Sequence, residues 1–149
     1  MAEPAGKRST AAGTTAGGPG RVLVAVYGVF TLAAGSRAVV QLATRFSEAP
    51  VAYLLSAFSA VVYGVATVAL ARGGRRTALA AISVELAGVL VVGTLSLADR
   101  AAFPDETVWS GYGQGYLFVP LVLPVVGLWW LRRSRRAQGA PTDEPPSSS

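Results

Sequence analysis

The stretch VAYLLSAFSAVVYGVATVALA, Val51 to Ala71, runs for 21 residues without a charged side chain and stops against Arg72. As a helix it rises about 31 Å, enough to cross a hydrocarbon core of about 30 Å. Comparable stretches lie on both sides: Arg21 to Thr44 before it, then Thr77 to Ala98 and Gly115 to Leu131 after it. The pattern predicts an all-α membrane protein, a four-transmembrane-helix bundle over 21–133 with spans at about 22–44, 51–71, 77–98 and 115–131. Residues 1–20 are a Gly, Ala, Thr, Ser and Pro tail. Residues 134–149 are first basic, then Pro-rich, Ser-rich and acidic. Neither tail has enough apolar side chain to offset the entropy of ordering, so both are expected to be disordered.

Arginines fall on alternate connections. Lys7, Arg8 and Arg21 precede the first stretch, Arg72, Arg75 and Arg76 separate the second from the third, and Arg132, Arg133, Arg135 and Arg136 follow the fourth. Cytoplasmic segments carry the excess of Lys and Arg. The other connections offset Arg45 with Glu48, and Arg100 with Asp99, Asp105 and Glu106. Four spans in the cell membrane with both termini cytoplasmic satisfy every segment. Trp109 with Tyr112, Tyr116 and Phe118 is then expected at the outer interface, and Trp129 and Trp130 at the inner one, where amphipathic rings prefer headgroup depth. The first stretch has a second reading as a signal peptide, with an apolar run Val22 to Ala34 and small residues at Ala34 and Ser36. Cleavage there leaves three spans.

Composition narrows the chemistry. The 149 residues contain neither cysteine nor histidine, which excludes disulfides, thiol redox work, histidine-based catalysis and ordinary zinc sites. The net charge of +5 is explained by topology rather than by nucleic acid, and the sequence calls for no metal and no cofactor. The lipid bilayer is the one partner the pattern itself requires.

Arg37 and Glu85 are the charged residues well inside the apolar stretches, and a charge there is costly unless it faces the bundle interior. By helical rise, Arg37 lies about 22 Å and Glu85 about 12 Å from the cytoplasmic ends of their spans, leaving about 10 Å between them. A direct or water-bridged Arg37–Glu85 pair is one expectation. The other is a bond from Glu85 to Tyr63, level with it on the second span, or to another hydroxyl. Arg37, Gln41 and Arg45 recur at i, i+4 and i+8, while Tyr53, Ser56, Ser59, Tyr63 and Thr67 recur at threes and fours. Such seams line a water-filled route or simply join helices by hydrogen bonds. The ladder Ser56, Ala60 and Gly64 is a close-packing feature. In the fourth stretch, Pro120 and Pro124 are expected to free the carbonyls of Tyr116 and Pro120, so that this helix bends or begins irregularly near its outer end. Before them, Ser110-Gly111-Tyr112-Gly113-Gln114-Gly115-Tyr116 lacks the spacing and the preceding strand of a nucleotide loop, and reads as an aromatic re-entry turn.

The strings Glu85-Leu86-Ala87-Gly88-Val89-Leu90, Gly93-Thr94-Leu95-Ser96 and Thr107-Val108-Trp109-Ser110, leading to Pro120-Leu121-Val122-Leu123-Pro124, resemble a group of uncharacterised short actinobacterial multi-pass integral membrane proteins. The likeness covers about residues 21–133. It implies membrane location and the span count, and it carries over no catalytic residue.

Three functional classes follow. One is a small accessory or structural membrane component, a homo-oligomer or part of a larger membrane complex. The second is an oligomeric small-solute or proton-coupled transporter using Glu85 and Arg37. The third, an enzyme, lacks any catalytic spacing of carboxylate, serine and arginine.

Overall fold

The computed structural model describes residues 18–139; the tail residues before and after them, with Lys7 and Arg8, lie outside that range. Four long helices carry the chain: α1 (Pro19–Thr44), α2 (Pro50–Ala71), α3 (Arg75–Ala98) and α4 (Val119–Gln138). A short 3-10 segment, Ser110–Tyr116, interrupts the connection between α3 and α4. Among the described residues there is no strand.

Local chemistry sets the ends. Both α1 and α2 open on a proline in the first turn, where the missing N–H has no intrahelical acceptor to lose. At the other end of α2, Gly73 takes φ 71° and the Gly74 N–H returns to the Ala69 carbonyl at 2.7 Å, closing the last turn. After α3, the Asp99 carboxylate accepts the N–H groups of Ala101 and Ala102, both at 3.1 Å, and turns the chain away.

In the bundle α1 packs on α2, α2 on α3, and α3 on both α4 and the 3-10 segment. The α1–α2 contact is a reciprocal notch. A Cβ on Gly64 would meet Thr31 at 3.5 Å, one on Gly28 would meet Thr67 at 3.8 Å, and the two threonine hydroxyls lie 3.2 Å apart. Small residues thus let the backbones approach while a hydroxyl pair joins them. Tyr27, Tyr63, Ile82, Val89, Val108 and Trp109 fill the core.

Outside, every helix shows apolar side chains: Val29 and Leu32 on α1, Leu54 and Val61 on α2, Val84 and Val91 on α3, Val122 and Val125 on α4. An apolar exterior on all sides is what a lipid environment selects, because water-soluble monomers keep such patches small. Three helices are individually long and apolar enough to cross a membrane. The fourth qualifies only together with the 3-10 segment, to which it is bent by 99°.

That bend corrects the expected fourth span. No helix runs from Gly115: Leu117 and Phe118 sit at φ 55° and 58°, and α4 starts at Val119. Pro120 therefore stands in the first turn and removes no helical bond, whereas Pro124 lies inside the helix. At its far end α4 continues to Gln138, so Arg132 to Arg136 are helical rather than part of a tail. Arginine, alanine and glutamine are good helix formers, which carries α4 beyond its apolar face.

The register of α4 on α3 shows what this costs. A Cβ on Gly127 would touch Ile82 at 3.2 Å, so these two positions are level. Counting back along α4 to Val119 puts its start level with about Leu90, and α3 then extends about 12 Å further. The connection from Thr107 to Phe118 occupies that space.

Candidate functional site

The site is built around this plug. Thr107 to Ser110 fold into a self-bonded turn: the Thr107 N–H donates to Ser110 Oγ at 2.9 Å, and the Trp109 and Ser110 N–H groups donate to Thr107 Oγ1, both at 3.1 Å. Gly111 N–H reaches Ser96 Oγ on α3 at 2.9 Å. Buried backbone away from regular structure needs such partners, above all at levels where the neighbouring helix is apolar. Gly111, Tyr112 and Gly113 then take left-handed conformations at φ 55°, 59° and 81°. Gly113 has a second reason to lack a side chain, since a Cβ there would lie 2.7 Å from the Pro120 ring. The alternating glycines are thus a tight left-handed turn.

Two aromatic rings lock the plug onto α3 at glycines. Gly88 leaves a notch for the Trp109 indole, and Gly93 one for the Tyr112 ring, whose hydroxyl lies 2.9 Å from Thr94 Oγ1. Trp109 is 1 % exposed and its Nε1–H donates to Tyr63 Oη at 2.8 Å. It is therefore a core residue and not an interface anchor. Burial is favourable because the indole N–H keeps a partner. Trp129 is exposed and Trp130 half-buried near the arginine-bearing end of α4, with the Arg133 guanidinium 5.2 Å above the Trp129 ring.

Arg37 also belongs to the plug. Its Nη1 donates to Tyr116 Oη at 3.1 Å and its Nη2 to the Glu106 carbonyl at 2.6 Å. Phe30, two turns before Arg37 on the same face of α1, packs its ring 5.9 Å from Tyr116. Glu85 is elsewhere. It is 0 % exposed, its Oε2 accepts from Tyr27 Oη at 2.6 Å, and its Oε1 is buried without a hydrogen-bond partner. Tyr27 and Arg37 stand on the same helix about 15 Å apart by rise, so one cannot be level with Glu85 if the other is. The two intramembrane charges accordingly serve different neighbours, and the direct pair is not formed.

Tyr63 sits between the two regions. Its ring is 6.2 Å from Tyr27, 5.5 Å from Phe30 and 6.4 Å from Trp109. It accepts the indole N–H rather than serving as the donor to Glu85 Oε2. The serines and threonine of the α2 seam turn back on their own helix: Ser56 Oγ donates to the Ala52 carbonyl at 2.9 Å, Ser59 Oγ to the Ser56 carbonyl at 2.8 Å and Thr67 Oγ1 to the Tyr63 carbonyl at 2.7 Å. These hydroxyls are satisfied locally. Gln41 is half-buried with its Oε1 unpartnered, and Arg45 is exposed. Tyr53 donates to the Asp105 carboxylate, tying the start of α2 to the long connection. Above the plug, a cavity of about 320 Å³ is lined by Ser96, Arg100, Phe103, Glu106, Ser110 and Gln114.

Tyr27, Gly88 and Gly93 are the functional positions the sequence reading passed over. The signal for Tyr27 was available, because the rise that placed Tyr63 level with Glu85 puts Tyr27 about 8 Å from the start of the predicted first span at Val22, within a tyrosine's reach of the same level.

Three apolar helices long enough to cross a membrane, with a bent fourth element, define the class: an all-helical chain compatible with a multi-pass membrane protein. Beyond that class, comparison with family models, with curated proteins and with solved structures gives no match.

Proposed function

We propose that the chain is a four-span protein of the cell membrane, both termini cytoplasmic, acting as a small accessory or structural component that assembles with itself or with a larger membrane complex. The fourth crossing is α4 together with the plug. The arginine-bearing ends, Arg72 to Arg76 and Arg132 to Arg136, face the cytoplasm by the excess of positive charge, and the plug faces outward. Residues on both sides of Ser36 serve the fold, Tyr27 on Glu85 and Arg37 on the plug, which favours an uncleaved first span.

The observation that carries the accessory reading is the disposition of Arg37. A charge placed inside the apolar stretch is used to clamp a loop, through a side-chain hydroxyl and a backbone carbonyl, instead of lining a route. With Ser56 and Ser59 bonded to their own helix and Tyr53, Tyr63 and Thr67 joined to Asp105, Trp109 and Thr31, these polar groups act as fasteners. Cross-linking in native membranes followed by purification tests this: a stable oligomer or a reproducible partner is expected. A monomer that recovers no partner overturns it.

The unpartnered Oε1 of Glu85 favours a second reading, a proton-coupled transporter. Vesicles holding the purified protein separate the two. A pH-driven flux abolished by Glu85→Gln supports transport, and its absence in the wild-type protein supports the accessory role.

A further inference from the structure

The last turns of α4 and the first turn of α3 meet at an unusually charged groove. Its volume is about 530 Å³, and its lining is Arg75, Arg132, Arg135, Arg136 and Gly139. Every side chain in that lining is a guanidinium. Arg75 is fixed there, because its Nη1 donates to the Leu131 carbonyl of α4, so the groove is held by the fold on one side. A second cleft of about 310 Å³ adjoins it, lined by Trp129, Arg132, Arg133 and Arg136, and the two share Arg132 and Arg136.

Cations crowded around one cavity repel one another, and an anion resolves the repulsion with charge-assisted bonds that a guanidinium makes bidentately to phosphate. The depth of the groove selects the anion's source. Exposed Trp129, with Arg133 stacked over its ring, marks the level at which aromatic residues meet headgroups. Leu131, immediately before the first lining arginine of α4, is buried in the core. The groove therefore begins where the apolar bundle ends.

The geometry points to a binding site for the phosphate of an anionic phospholipid headgroup, held by Arg75, Arg132, Arg135 and Arg136 at the cytoplasmic face. The leaflet assignment rests on the orientation proposed above; the headgroup chemistry rests on the groove alone.

Native mass spectrometry of the full chain in detergent tests it with phosphatidylglycerol and phosphatidylcholine as probes. Phosphatidylglycerol is expected to be retained in preference. Arg135 and Arg136 are exposed, so Arg135→Gln and Arg136→Gln leave folding intact, which an unchanged Tm verifies. Each should weaken retention about fivefold, since a basic residue near an anionic surface contributes about 1 kcal/mol. The double variant Arg72→Gln with Arg76→Gln removes twice the charge of either single variant but outside the groove, and should keep nearly full retention. Equal loss in that control overturns the site in favour of diffuse attraction. Equal retention of the two lipids, or displacement of phosphatidylglycerol by inorganic phosphate at matching concentration, overturns the headgroup assignment. Retention that appears only with Asp143→Asn and Glu144→Gln shows the chain's own carboxylates in the groove and overturns it as well. Binding in detergent is blind to sidedness, so failure of this site and failure of the proposed orientation are read separately.

Discussion

Gly88→Ala should release the plug. The added Cβ would stand 2.5, 2.8 and 2.9 Å from Cζ3, Cη2 and Cε3 of Trp109, all inside van der Waals contact, and the obstacle is a rigid ring rather than a flexible chain end. The indole cannot simply rotate away, because it is fully buried and tied to Tyr63. Overpacking of this kind costs about 1–3 kcal/mol. Losing the indole bond to Tyr63 adds about 1 kcal/mol. Replacing a glycine within a helix recovers about 1 kcal/mol of propensity. The net expectation is a loss of about 1–3 kcal/mol, from the same three terms. Gly64→Ala is the matched reference: its Cβ meets Thr31 at 3.5 Å, an ordinary contact, so only the propensity gain remains. Equilibrium unfolding in mixed micelles measures both, and tryptophan emission reports whether the indole moves to a more polar site. Trp109→Phe identifies that part of the signal. Wild-type stability in Gly88→Ala, with unshifted emission, would refute the notch.

Arg37→Ala should cost about 1–3 kcal/mol by leaving the Glu106 carbonyl and the Tyr116 hydroxyl without their charged donor, read in the same unfolding assay. Because Arg37 and Glu85 serve different neighbours, their changes should add, with a coupling within about 0.5 kcal/mol in a double-mutant cycle; a larger coupling restores the direct pair. Tyr27→Phe removes the donor to Glu85 Oε2 and should cost about 1–3 kcal/mol, with strong coupling to Glu85→Gln. Gly113→Ala combines a positive φ with a clash on Pro120, so it should weaken the plug and raise protease sensitivity in the 99–118 connection. Resistance equal to wild type argues against the left-handed turn.

The three long helices were legible because uncharged runs such as Val51 to Ala71 are long enough to cross a bilayer and the arginines mark their ends. The irregular outer end of the fourth was legible from its prolines, but its starting residue was misplaced for a physical reason. Hydropathy counts Gly115, Leu117 and Phe118 as apolar and contiguous with Val119, but it cannot register that Leu117 and Phe118 adopt left-handed backbone. Leu117 is 87 % exposed there, so its apolar side chain looks outward from a non-helical segment. Arg37 and Glu85 were singled out together, and the expected direct pair is not formed; depth was compared only between the two charges. Comparing each with every polar group at its level would have found Tyr27. The Trp109 placement failed differently: aromatic residues near a span end suit an interface, and only Gly88, invisible as a notch in a linear sequence, makes room for one inside.

The chain has no cysteine, so single cysteines can report sidedness directly. The central claim is that the plug and α4 together make one full crossing. With a membrane-impermeant maleimide on intact cells, Ser47→Cys and Asp99→Cys should label at once, while Arg72→Cys and Arg136→Cys should label only after permeabilisation. Labelling of Arg136→Cys on intact cells, with Arg72→Cys still protected, would place the end of α4 outside and contradict the fourth crossing.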